Sequence, residues 1–200
     1  MARRNDHSRE ELHEMALSAA QILLDEQGVT ALSTRKVAAA IGYSVGSLYQ
    51  LFKNLDDLCW QLNARTLEQF QAEVNAIPAE QPREIILGYG RAYLEFAHRW
   101  PHRWHLLFEH KSQASEIPDE LQGKIAGMFE YLEGALAQLF PGAEADSLQR
   151  SARTLWAAVH GIAVLASLDK LFLNQPALEQ QMLNEVIGRY LNGWQQENMA

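Results

Sequence analysis

Three features of these 200 residues predict an all-α chain. Apolar side chains recur three and four positions apart, the period of a helix face. No stretch alternates apolar and polar residues for long enough to make a useful strand. Prolines, glycines and short polar side chains stand where helices would start and stop. About nine helices result, in two parts: residues 1–54, and residues 55–200.

Leu12, Met15, Ala16, Ala19, Ile22 and Leu23 form the first apolar stripe, which ends at Gly28. Ser33 or Thr34 can cap the second helix, because a short hydroxyl accepts a hydrogen bond from a free amide of the first turn. Val37, Ala38 and Ile41 are its inward side. Gly42 sits at the exit, where a left-handed residue ends a helix without a Cβ penalty. Tyr43 bridges the turn and Ser44 is the next cap. Val45, Leu48 and Phe52 line one face of a short third helix, with Ser47, Tyr49 and Gln50 off that face. Ala38 is small enough for two helices to cross closely and steeply. That crossing is a helix-turn-helix, whose second helix enters a DNA major groove.

Asn54 can cap the fourth helix, with Asp57 three residues on as a weak capping box. Leu58, Leu62, Leu67 and Phe70 continue it as a long linking helix. Pro78 and Pro82 mark a loop. A fifth helix covers about 85–99. Pro101 opens the sixth, as proline is accepted in a first turn, and it runs through Trp104 and Phe108 to about 111. Residues 115–118 are a loop. The seventh helix, about 121–140, stops at Pro141 and Gly142. Asp146 or Ser147 starts the eighth, which reaches about 171. Asn174, Gln175 and Pro176 break the chain before the last helix, about 177–195.

Charge singles out one segment. The chain carries a net −8, yet residues 33–53 hold Arg35, Lys36 and Lys53 and no carboxylate. Phosphate contact supplies much of DNA affinity, so a face cleared of acid on an acidic protein points to nucleic acid. Arg3, Arg4 and Arg9 near the start could reach a DNA backbone as an arm.

The segment LSTRKVAAAIGYSVGSLYQLFKNLDDL resembles the DNA-binding domain of TetR-family transcriptional regulators, over roughly residues 10–60. Thr34, Val37-Ala38, Gly42, Ser44, Ser47-Leu48-Tyr49 and Phe52 carry the resemblance. It implies that Thr34, Ser47 and Tyr49 contact phosphates, while Arg35, Val45, Gly46 and Gln50 face base edges. Ser44 and Lys53 complete the expected DNA-binding set. Two positions depart from the family pattern. Leu55 stands where the linking helix usually opens with a phosphate-touching lysine, a contact Lys53 could take over. Tyr43 replaces a smaller valine. Among the base-facing residues, Val45 suits a thymine methyl, Gln50 suits adenine, and Arg35 is the best candidate for a bidentate guanine contact.

The segment TLWAAVHGIAVL, with Trp156, His160 and Gly161, resembles the Trp-x-x-x-His-Gly signature of one branch of TetR-family C-terminal domains. The resemblance implies that this helix and the last one pair with their symmetry mates in a homodimer. The expected interface residues are Ala158, Ile162 and Leu165 with Val186, Ile187, Tyr190 and Trp194. The sequence agrees, since a helix apolar on nearly every side must be buried on every side. A small-molecule effector pocket is also expected from the family. Tyr89, Tyr93, Phe96, Trp104, Phe108, Met128, Phe129, Tyr131, Trp156 and His160 are its candidate walls, and they favour an apolar or aromatic effector. Repression is the family default, with the effector releasing a double-stranded DNA operator.

The remaining features weigh against other classes. No apolar run approaches the ~20 residues of a membrane span, and the charged start lacks a signal core; a cytoplasmic protein is expected. The single Cys59, beside Trp60, reads as a packing residue. No nucleophile–base pair points to an enzyme, and no cofactor is implied. His98, His102, His105 and His110 crowd one stretch, and His102 and His105 are close enough in sequence to share a metal. A metal-responsive regulator is therefore the minor alternative to an exposed helix corner around Pro101. A helical regulator without an effector, or a scaffold without DNA affinity, are the others; the scaffold leaves the carboxylate-free segment unexplained.

Overall fold

The computed structural model describes residues 7–78, 80–109, 117–168 and 175–199, with the side chains of 109, 176 and 196–199 excepted. Arg3, Arg4, His110, Ser115, Leu171 and Asn174 lie outside the described residues. Among the described residues there are nine α-helices, one short 3-10 turn and no strand. The helices are α1 (Arg9–Gln27), α2 (Thr34–Ile41), α3 (Val45–Tyr49), α4 (Leu55–Asn75), α5 (Pro82–Arg99), α6 (Pro101–Glu109), α7 (Asp119–Leu139), α8 (Ala145–Ser167) and α9 (Pro176–Met199); the 3-10 turn is Val29–Ala31. The expected all-α class and helix number are both found. No helix of the described residues is long and apolar enough to cross a membrane.

The chain forms two compact units. The first comprises Met1–Leu67 with His102–Gln122, and the second Glu68–Pro101 with Gly123–Ala200. The first unit thus takes in most of α4 and nearly all of α6, as well as the helix-turn-helix.

Local chemistry sets the helix ends of the first unit. Ser8 and Glu11 form a full capping box on α1: Glu11 N–H donates to Ser8 Oγ at 3.1 Å, and Ser8 N–H donates to the Glu11 carboxylate at 2.6 Å. Ser33, rather than Thr34, caps α2, accepting from Lys36 N–H at 3.2 Å. Asn54 Oδ1 caps α4 through Asp57 N–H at 2.8 Å. The Asp57 carboxylate reaches back one residue further than a capping box, to Lys53 N–H at 2.8 Å. The core of this unit joins Leu17 and Leu24 of α1, Val37 and Ala38 of α2, Leu48 and Phe52, Leu58 and Leu62 of α4, and Leu106 of α6.

The second unit is built on α5, α8 and α9, which pack pairwise. Gly90 lets α9 come close to α5: a Cβ there would stand 2.7 Å from Leu183 Cδ1 and 3.1 Å from Ile187 Cδ1. Phe70 meets Tyr89, Tyr93 and Phe96 edge-on, with centroids 5.6, 5.9 and 5.4 Å apart, a favoured arrangement for aromatic quadrupoles.

Candidate nucleic-acid interface

The α2–α3 corner is fixed by its buried side and leaves the other side open. Val37, Ala38 and Leu48 are buried. Gly42 closes α2 in the left-handed region, φ 75° and ψ 24°. The amides of Gly42 and Tyr43 then return to the carbonyls of Ala39 and Ala38 at 3.2 and 3.0 Å. Ser44 caps α3 by accepting from Ser47 N–H at 3.1 Å, and the two serine hydroxyls are 2.9 Å apart.

The outward side carries the residues the sequence singled out. Arg35, Ser44, Gly46, Gln50 and Lys53 are exposed, and Tyr49 is 56% exposed. Thr34, Val45 and Ser47 are half-buried at the edges of the same corner. Lys36, also exposed, donates to Gln27 Oε1 at 3.2 Å. An exposed tyrosine beside hydroxyls, amides and cations can hydrogen-bond phosphate, and Arg35 and Gln50 are residue types that can read base edges. Leu55, at the position of the family lysine, is half-buried.

Two contacts at this corner were not legible in the sequence. Arg9 Nη2 donates to the backbone carbonyl of Gln50 at 3.2 Å. His7 Nδ1 and Tyr43 Oη are hydrogen-bonded at 2.8 Å. Arg9, a candidate for the backbone-reaching arm, is docked on α3.

The first unit also holds two of the candidate pocket residues. Trp104 is buried and Phe108 half-buried on α6, their rings 5.4 Å apart, and both belong to the first unit. The other eight lie in the second. There, Tyr89, Tyr93 and Trp156 wall a cavity of about 10 Å³ together with Ile86, Gly90, Leu132, Leu155, Val159 and Ile187. That is room for roughly one water molecule. Tyr93 Oη and His160 Nδ1 are 2.7 Å apart, and the His160 ring stacks on Trp156 at 5.0 Å. Phe129 stands edge-on to Trp156 at 5.7 Å, under the Arg153 guanidinium. Tyr131 Oη donates to the carbonyl of Val74 at 3.3 Å. Phe96 and Met128 are buried, and neither they, Phe129, Tyr131 nor His160 line this cavity. Burial pushes the Tyr89 hydroxyl above the ordinary phenol range, so it is neutral. The aliphatic walls gave no sequence signal beyond ordinary helical spacing.

Of the seven expected dimer residues, Ile162 and Ile187 are buried within the second unit itself. Ala158, Leu165, Val186, Tyr190 and Trp194 are half-buried. The histidines part company. His98 belongs to the second unit, where its Nε2–H donates to the Glu179 carboxylate at 2.6 Å. His102 belongs to the first, where its Nδ1–H donates to the carbonyl of Asp25 at 3.0 Å. His105 packs its ring against Trp104. Among the described residues no group of three or more His, Cys, Asp or Glu gathers as a metal site.

This chain is similar to known proteins over most of its length. The model "Bacterial regulatory proteins, tetR family" matches residues 16–59, and "Tetracyclin repressor-like, C-terminal domain" matches residues 86–189. An HTH-type transcriptional regulator of Staphylococcus aureus (strain USA300) is 40% identical over 48 residues, 24% of this chain and 26% of that protein. The match thus spans about a quarter of that curated relative's length. Among solved structures, a Rhodococcus sp. RHA1 protein of unknown function superposes with a TM-score of 0.74 at 19% identity, covering 96% of this chain and 98% of its own. The TetR-family transcriptional regulator PfmR of Thermus thermophilus does so with a TM-score of 0.59 at 17% identity, covering 88% and 97%. At such identities the likeness is one of fold. The tetR model over the helix-turn-helix and the C-terminal model over more than half of the chain give the assignment: this chain belongs to the TetR family of bacterial regulatory proteins.

Proposed function

We propose that the protein binds a double-stranded DNA operator as a homodimer, acts as a cytoplasmic repressor, and is released by a small apolar or aromatic effector. The observation that carries the DNA-binding part is the outward side of α2–α3. Arg35, Tyr49, Gln50 and Lys53 are exposed there, with no carboxylate between residues 33 and 53 of an acidic chain. Tyr49, Ser47 and Thr34 hold phosphates, Lys53 replaces the cation absent at Leu55, and Arg35 and Gln50 read bases.

The cavity beside Tyr93 and Trp156 supports an apolar, flat effector. Its walls are aromatic and aliphatic, and at about 10 Å³ it is too small for an effector. An effector must therefore part these walls, and its binding favours an opened state over the closed one. A ligand shifts such an equilibrium only by its difference in affinity for the two states. In the dimer, the opened state places the two α3 helices out of step with half-sites roughly 34–36 Å apart. The half-buried apolar residues on α8 and α9 supply the dimer face.

Selection from a randomised duplex pool tests the DNA reading. Arg35→Ala is expected to relax one position per half-site at a cost of ~1–3 kcal/mol, and Tyr49→Ala to weaken all sequences alike. Wild-type base preference in Arg35→Ala refutes the assignment of Arg35. Aromatic and apolar compounds are then screened for release of the selected duplex at fixed salt. A compound bound equally by free and DNA-bound protein is not the effector. A monomeric mass in the DNA-bound complex refutes the dimer.

A further inference from the structure

α3 is five residues long, far short of a helix that stands on its own. Its pose depends on what holds its ends. The N-terminal end follows Tyr43, which is tied to His7 by the 2.8 Å hydrogen bond. The C-terminal end closes at Gln50, a helical residue at φ −79° and ψ −18° whose N–H returns to Ser47 and Leu48. The last carbonyls of a helix lack donors from the helix itself. At Gln50 the missing donor is Arg9 Nη2, at 3.2 Å. The start of α1 and the residue before its cap therefore grip the short helix at both ends. α1 can bear this role because its own start is locked by the Ser8–Glu11 capping box.

We propose that Arg9 is a positioning residue for base recognition by Gln50. This rests on the reading of α3 as the base-reading helix. The carbonyl that Arg9 holds and the side chain that reads the base belong to the same residue. With the Gln50 N–H already bonded back to Ser47 and Leu48, holding the carbonyl as well restrains the backbone on both sides of Cα, and with it the direction of the Cα–Cβ bond and the reach of the Gln50 amide. An exposed arginine beside a DNA-facing helix would ordinarily be assigned to a phosphate. The two roles differ in kind. A phosphate contact adds affinity for every sequence and steepens the salt dependence. A positioning contact acts on one base pair and leaves the salt dependence unchanged.

Full-length wild type, Arg9→Ala, Gln50→Ala, the Arg9→Ala/Gln50→Ala double variant and Arg35→Ala are each taken through selection on a randomised duplex pool. Affinity for the wild-type duplex is also measured against salt, and thermal melting confirms that each variant is folded. Arg9→Ala is expected to lose about tenfold preference at the same position that Gln50→Ala loses. The position read by Arg35 keeps its preference, and the salt slope is unchanged. The double variant is expected to be no worse than Gln50→Ala, since Arg9 acts through Gln50. Arg9→Ala with intact preference at that position overturns the proposal. A salt slope smaller by about 1 in that variant would then assign Arg9 to a phosphate. If Gln50→Ala selects the wild-type sequence, Gln50 reads no base and the proposal falls with that reading. The Gln50 single variant identifies this case without reference to Arg9.

Discussion

Arg103 of α6 holds Asp25 of α1 by both carboxylate oxygens, with Nε at 2.7 Å from Oδ1 and Nη2 at 2.6 Å from Oδ2. The side chains are only 13% and 26% exposed. His102, one residue earlier, takes the backbone carbonyl of the same aspartate. Three donors from α6 therefore converge on one residue in the last turns of α1. Together with Leu106 in the core, they explain why α6 belongs to the first unit.

Asp25→Asn keeps the shape of this joint and removes its charge. Charge-assisted bonds of this kind contribute about 2 kcal/mol. Urea unfolding is expected to show an unfolding free energy lower by that amount, seen as a lower midpoint at an unchanged slope. A loss below about 0.5 kcal/mol, the range of an exposed pair, would show that the joint is solvated in solution.

Two glycines with positive φ should differ in sensitivity. A Cβ on Gly42 meets nothing within 4 Å, so Gly42→Ala incurs backbone strain alone, about 1–2 kcal/mol. Gly28, at φ 78° and ψ 178°, occupies a region adopted almost only by glycine. A Cβ there would meet the His102 ring at 3.5 Å, an ordinary contact, so the backbone region alone sets the cost. Gly28→Ala is expected to be the more destabilising in denaturant unfolding, and Gly42→Asn milder than Gly42→Ala. The reverse order for the two alanine variants would contradict the backbone geometry.

Cys59 should be silent in the folded protein. Burial, helped by the charge of Asp56, pushes its thiol from 9.0 up to about 12. At pH 8 the nucleophilic thiolate is therefore scarce, and the site is closed. A thiol reagent is expected to label Cys59 only at the rate of unfolding. The folded pKa is raised, so this group's contribution to stability is full below the unfolded value. It is lost as pH rises from about 9 toward about 12. Cys59→Ser, which titrates nowhere in that window, is expected to flatten the alkaline limb of the stability curve.

The acid limb has its own reporter. The Ser8 backbone amide, then its hydroxyl, holds the Glu11 carboxyl below its usual 4.5. A lowered folded pKa gives stability that is full above 4.5 and lost as pH falls through the folded value. Glu11→Gln is expected to reduce this dependence in melts between neutral pH and the acid limb. An unchanged acid limb would mean that the capping box does not persist in solution.

What could be read from sequence follows the range of each interaction. Ser33, Gly42, Ser44 and Asn54 punctuate the chain through bonds to residues a few positions away, so helix ends and the α2–α3 turn were legible. Ser8 and Glu11 carry the same local spacing, so the α1 capping box is a sequence signal of the same kind. The cavity was not legible. Trp104 and Trp156 both stand on helical stripes, and only the packing decides that Trp104 belongs to the first unit while Trp156 lines the cavity. Ile162 and Ile187 looked available for a partner chain because nothing local shows that α5, α8 and α9 bury them among themselves. Arg9 and Gln50 are 41 positions apart, and no periodicity links them.

The division of labour within α3 has a consequence for how this surface can change over generations. Its anchorage comes from Leu48 underneath, the Ser44 hydroxyl at one end and α1 at the other. Gly46, Tyr49 and Gln50, which face outward, contribute little to keeping it in place, and exposed substitutions of this sort usually alter stability by under about 0.5 kcal/mol. Mutation can therefore sample new outward side chains while the fold is retained. A duplicated copy of this gene could diverge in what it recognises without first having to regain stability.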